Sequence, residues 1–216
     1  FVERDIPSFD LPYAPAPSAL GRFWSMLAHV HAELLNWSEL GRSMGVSDLT
    51  ARRYVDLLEG ALMVRQLKPW HENISKRQVK SPKLYFRDSG MLHVQLGIQT
   101  SAELKRHPRV GASWEGFIHQ QIRQRVAAEP DECFFWRTHD GAELDLLVVR
   151  GAHRYGFEIK RTDAPRLTPS MRHALADLRL ARLDIVHAGA DTFPVAARVR
   201  AVAARRLLSD LKPLPG

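Results

Sequence analysis

The sequence predicts a two-part chain of α+β and α/β character, a winged helix-turn-helix domain followed by an α-β-β-β-α-β domain. Three observations predict it. Between Gly21 and Gly60, apolar residues recur at three- and four-residue spacing, punctuated by Ser47, Gly45 and Gly60. Two β-prone runs follow, at 62–67 and near 83–87, separated by a polar loop. From residue 112, one helical stretch leads into three strand-like runs, a helix and a further strand.

The elements are justified in order. Phe1 stands where a Met is expected, and "ERDIP" reads as the end of an element already under way, so residues 1–20 are expected to be a linker from a missing upstream domain. Pro12, Pro15 and Pro17 make that linker extended. In the domain expected over 21–107, Phe23, Leu27, Val30, Leu34 and Leu35 form one face of a helix at 22–35. Ser38 is expected to cap a short helix ending at Gly45, and Ser47 to cap the next. Helices can cross closely only where little bulk sits at the turn, and Leu40, Val46 and Leu57 are placed at that crossing. The hairpin completes the order of a winged helix-turn-helix.

The domain expected over 108–216 opens with a helix whose buried stripe is Trp114, Phe117, Ile118, Ile122 and Val126. Strands are expected at 133–137, 143–149, 154–160 and 184–187, with a helix at 167–180 before the fourth. A fifth strand at 197–202 and a terminal helix at 204–211 close the chain.

Composition narrows the function. With 45% hydrophobic and 25% charged residues, the 216-residue chain is globular in type. The single cysteine, Cys133, excludes an intramolecular disulfide and a multi-Cys zinc site. No run of 18 apolar residues is present, and a reducing cytoplasm is the expected location. The net charge of +7 points to a polyanionic partner, and the stretch 65–87 holds seven Lys and Arg against Glu72 alone. DNA is the expected partner, met by Thr50, Arg52 and Arg53 on the second helix of the helix-turn-helix and by Lys76, Arg77 and Lys80 on the hairpin. Asp48 and Asp56 share that helix and oppose phosphate, so a packing module is the alternative.

Four residues of the second half carry chemistry together: Glu115, Asp145, Glu158 and Lys160. In "FEIK", Glu158 and Lys160 are two apart and project from one face of a strand. Asp145 lies on the preceding strand, near where a hairpin partner meets Glu158, and Glu115 on the helix expected to cover the sheet. Gathering three carboxylates is costly unless something offsets their charge, and Mg²⁺ (or Mn²⁺) is the expected offset. A lysine beside such an ion suits attack of water at phosphorus.

These residues, in an αβββαβ frame, resemble the PD-(D/E)xK nuclease superfamily, whose fold is restriction-endonuclease-like. The resemblance implies that Asp145, Glu158 and the carbonyl of Ile159 hold the metal, that Lys160 assists the nucleophile, and that Glu115 supports the site. Leu144 stands where the superfamily's name has Pro. Over nearly the whole chain, "ERDIP", "WSELGRSMGVSDLTARRYVDLLEGALMVRQL", "GASWEGFIHQQI" and "FEIKR" resemble the C-terminal region of bacterial and archaeal AAA-type P-loop ATPases of unassigned role. That implies an upstream ATPase domain as partner. No G-x-x-x-x-G-K-[S/T] run occurs, so ATP hydrolysis by a P-loop is not expected from these residues. The expected function is a DNA-associated fragment with a Mg²⁺-dependent phosphodiesterase site. The alternative is a non-catalytic docking module on a vestigial nuclease fold.

Overall fold

The structure, a computed structural model, describes residues 16–71 and 80–215. It is a mixed α/β chain that divides into two compact units. The first takes the described residues up to Gln66 with Lys83–Ser113, and the second takes those of Leu67–Pro82 with Trp114 onward.

In the first unit, α1 (Pro17–His29) begins inside the stretch read as linker, because proline suits the first helical turn. It also ends earlier than the apolar spacing suggests. Ala32 adopts a left-handed φ of 62°, and His31 and Leu34 form bridges with Leu84 and Lys83. Leu34 and Leu35 therefore leave the helix, although Leu35 still buries. Periodicity reports burial, and a segment outside the helix can bury one of the same side chains.

Helix α2 (Trp37–Met44) is capped by Asn36, whose side chain accepts the Glu39 amide at 3.3 Å, rather than by Ser38. Gly45 follows with φ of 67° and closes it. Ser47 caps α3 (Asp48–Gly60), accepting from the Thr50 amide at 3.1 Å. A methyl on Gly41 would lie 2.8 Å from the Val46 carbonyl oxygen, so the turn needs a bare α-carbon there as well. Leu40 is buried at this crossing, with Val46 and Leu57 packed against the same core. Strands β1 (Val64–Pro69) and β2 (Lys83–Phe86) follow, then α4 (Ser89–Gln95), capped by Asp88, and α5 (Ser101–Arg106), closed by a Thr100–Glu103 capping box.

In the second unit the elements run α6 (Val110–Arg125), β3 (Cys133–Arg137), β4 (Glu143–Arg150), β5 (His153–Lys160), α7 (Pro169–Asp177) and β6 (Arg182–His187). This is the expected α-β-β-β-α-β order. Strands β7 (Phe193–Ala196) and β8 (Val199–Ala203) and helix α8 (Leu207–Asp210) complete it. Strand β7 went unread in the sequence because Pro194 argues against a strand, and proline is tolerated at the sheet edge that β7 forms. The expected terminal helix is instead a 3-10 turn, Ala204–Arg206, running into α8.

Strands β3, β4 and β5 are antiparallel, while β6 and β8 join in parallel. The eight strands are ordered β2-β1-β3-β4-β5-β6-β8-β7 in one mixed sheet. Strand β1 is more than a hairpin arm, since Lys68 and Pro69 pair in parallel with Phe134 and Phe135. Ile118 and Ile122 on α6 and Val126 just beyond it are buried as expected, but Trp114 is only half-buried and Phe117 is 46% exposed. Phe117 sits one residue, about 100° of rotation, off the stripe that Ile118, Ile122 and Val126 define.

Candidate functional site

The site starts from an irregularity in β4. Phe134 pairs with Leu147 and Trp136 with Leu144, so two steps along β3 span three steps along β4. The extra residue is a β-bulge at Asp145–Leu146, and a bulge re-aims the side chain it carries. Leu144 and Leu147 both enter the core under α7 as a result. Asp145 is turned toward β5, where its Oδ2 accepts the main-chain N–H of Ile159 at 2.8 Å.

On β5 the parity argument holds. Glu158 pairs with Ile185, which lies in the core beneath α7, so Glu158 and Lys160 share that face. The Lys160 Nζ stands 2.6 Å from Glu158 Oε1. Asp145 and Glu158 are buried at 7% and 5% exposure, whereas the Lys160 side chain is 44% exposed. The second oxygen of Glu158, Oε2, is buried without a hydrogen-bond partner.

Electrostatics follow from this packing. Burial, and then the charge of Asp145, push the Glu158 carboxyl up to about 8, with Lys160 opposing. Burial alone would pull Lys160 down, but the charges of Glu158, Asp145 and Glu115 outweigh it and hold the ammonium above its usual range. A raised lysine wants an ionised partner, and a raised glutamate wants a proton. With one ammonium facing two carboxylates, the lysine stays charged and Glu158 is the carboxylate whose affinity for a proton rises.

Among the described residues, no group of three or more His, Cys, Asp and Glu side chains is arranged to hold a metal ion. The expected gathering of three carboxylates thus reduces to the pair Asp145 and Glu158, with Glu115 on α6 acting on Lys160 through its charge. Helix α7 packs against β4 and β5. The pair still fits a Mg²⁺-type ion, which commonly takes only one or two carboxylates and keeps waters, and the orphaned Oε2 is a hard oxygen donor without other employment.

Sequence reasoning missed what anchors this arrangement. Ser170 Oγ accepts the Glu143 N–H at 2.8 Å and donates to the Glu143 carbonyl at 2.9 Å, tying the first turn of α7 to β4 two residues before Asp145. His187, which pairs with Lys160, is fully buried, and its ring spans the Gly189 amide and the Asp191 carbonyl, each at 3.1 Å. The Thr168-Pro169-Ser170 helix-start signature was the one available signal for Ser170.

Of the residues assigned to DNA, Arg52 and Arg53 are exposed neighbours on α3, and Arg52 lies 4.6 Å over the Trp37 ring. Thr50 is half-buried, its hydroxyl 2.9 Å from that of Ser47. Asp56 and Glu59 both accept from the Gln66 side chain. Lys80 is exposed; Lys76 and Arg77 lie outside the described residues. No helix among the described residues is long and apolar enough to cross a membrane.

Residues 110–207, from α6 to the start of α8, match the family model of DUF4143, a domain of unknown function often found with AAA ATPases. Residues 1–102 match that of DUF8612, also a domain of unknown function. The chain is 49% identical over 209 residues to the uncharacterized protein Rv2008c of Mycobacterium tuberculosis and, at the same identity, to the uncharacterized protein Mb2031c of Mycobacterium bovis. Each alignment takes 97% of this chain and 46% of the relative, so the chain spans about half the length of the curated relatives it matches. The crystal structure of protein VC1899 from Vibrio cholerae aligns with 88% of this chain and 49% of its own, at 14% identity and a TM-score of 0.29, too low to carry a conclusion about fold.

Proposed function

We propose that this chain is the C-terminal part of an ATPase-family protein that acts on DNA, and that Asp145, Glu158 and Lys160 form a divalent-metal-dependent phosphodiester-hydrolysing site. In this reading α1 to β2 make a winged helix-turn-helix and α6 to β6 a restriction-endonuclease-like domain. The upstream ATPase domain belongs to the part of such a protein that this chain does not span. One observation carries the proposal: the buried, partnerless Oε2 of Glu158 beside the buried carboxylate of Asp145.

Asp145 and Glu158 would hold the ion, with the Ile159 carbonyl as the third donor that the superfamily resemblance implies. Bound there, a Mg²⁺ or Mn²⁺ ion supplies charge neutralisation and Lewis acidity at phosphorus. The chain's own residues do the rest. The Ile159 amide holds Asp145 in one orientation, and the core under α7 keeps solvent from the carboxylate pair. Lys160, half out of the protein, can donate to a phosphate oxygen or orient the attacking water.

The test is incubation of the purified chain with plasmid, nicked and branched DNA in Mg²⁺ or Mn²⁺, alongside calorimetric titration of the metal alone. Cleavage that Asp145→Asn and Lys160→Ala each reduce by about 100-fold or more supports the site. A folded chain that neither cleaves nor binds metal overturns it.

One observation favours the alternative of a non-catalytic module. The Lys160–Glu158 pair, at 2.6 Å, is already a complete ion pair. In that reading the metal titration is silent and DNA binds without being cut.

A further inference from the structure

The arginines of the second unit differ in what their side chains meet. Arg137, Arg150, Arg182, Arg200 and Arg206 each pair with a carboxylate. Arg154, Arg198 and Arg205 donate to main-chain carbonyls. Arg179 does neither, and nor do Arg161, Arg166 and Arg172: their side chains are exposed, with no ion pair or hydrogen bond to another described residue. The last three stand together on 161–172, where Asp163 is the one acidic residue.

The path of that segment is what matters. It leaves directly from Lys160, and Ser170 ties its far end to Glu143 at the start of β4. It therefore runs from the strand that carries Glu158 to the strand that carries Asp145, along the border of the carboxylate pair. Guanidinium groups with all donors free are suited to phosphate oxygens, which they bind in two-pronged geometry.

We infer that Arg161, Arg166 and Arg172 form a rim that contacts the phosphodiester backbone of DNA, so that the substrate of the second unit is a strand continuing past the scissile bond and not a small diester. This rests on reading Asp145, Glu158 and Lys160 as a phosphodiester site. It also places backbone contact on the second unit, apart from α3.

Each phosphate neutralised by an arginine releases condensed counterions, and the logarithm of the binding constant falls with the logarithm of salt by about 0.9 per contact on duplex DNA. The experiment measures binding of a short fluorescein-labelled DNA duplex to the full chain in EDTA across a sodium chloride series. The triple variant Arg161→Gln, Arg166→Gln, Arg172→Gln should lower the magnitude of the slope by about two to three. The corresponding triple Lys variant should keep most of it. An unchanged slope in the Gln variant, or no binding by the wild-type chain, overturns the rim. Hydrolysis of bis(p-nitrophenyl) phosphate by the wild-type chain with Mn²⁺ reads the carboxylate site separately. A lost slope with no such hydrolysis leaves the rim standing and removes the catalytic reading beneath it.

Discussion

The carboxylate of Asp145 accepts the main-chain hydrogen of Ile159 at 2.8 Å, a donor that an unbroken ladder would offer to a carbonyl. The bulge in β4 leaves this amide to the side chain, so Asp145 serves the sheet as well as the site. Its two roles separate by substitution. Asp145→Asn keeps an acceptor for Ile159 and should melt close to the wild type while losing metal binding. Asp145→Ala orphans a buried N–H and should cost about 1–3 kcal/mol in chemical denaturation. If both variants melt alike, the hydrogen bond does not bear on the fold.

Glu158 links stability to pH. Its folded carboxyl is raised from 4.5 to about 8, first by burial and then by Asp145, so the fold favours the protonated form. The contribution is fully present below the ordinary value and is lost as pH rises through about 8. In EDTA, the melting temperature of the chain should therefore fall between these limits. Glu158→Gln, which mimics the protonated acid, should flatten that fall, and an equal slope in the variant would contradict the assignment.

His31 works in the opposite direction. Its Nδ1 accepts the Phe86 amide at 3.0 Å, and burial, followed by the charge of Arg109, lowers the ring from 6.5 to about 3. The fold favours the neutral ring, so this contribution is complete above 6.5 and is lost as pH falls toward 3. Each pH unit in that window should remove about 1.4 kcal/mol. His31→Leu should lower stability at neutral pH, by leaving the Phe86 amide unpaired, yet soften the acid transition measured by urea unfolding.

The turn between α2 and α3 can be tested with one methyl group. Gly41→Ala sets a carbon 2.8 Å from a main-chain oxygen of Val46, which cannot rotate away. A loss of roughly 1–3 kcal/mol is expected. Gly21→Ala, in α1 with nothing within 4 Å of the added carbon, should instead gain about 0.5–1 kcal/mol. Thermal melts of the two variants moving the same way would show that the turn is looser than described.

Most of the element order was legible because it is local. The cap Ser47 and the glycine at 45 act over one turn of chain, and each marks a boundary that the structure keeps. The errors sit where local signals are degenerate. Leu34 and Leu35 continue a helical spacing but lie beyond the helix, where Leu35 still buries, and Phe117 is apolar yet lies off the stripe of α6. The stacking of Arg52 on Trp37 was not legible, since that contact crosses from α2 to α3.

By itself the sequence determined that Glu158 and Lys160 share a face, because alternation along a strand depends on nothing beyond the strand. Only the tertiary structure decided where Asp145 points, since a bulge exists only against a paired strand. It also decided that the Glu158 carboxyl is raised above its ordinary value, since desolvation is a property of the packed surroundings and not of the residue. The same holds for which helix covers the pair: burial of α7 against β4 and β5, and not the order of elements, placed it there.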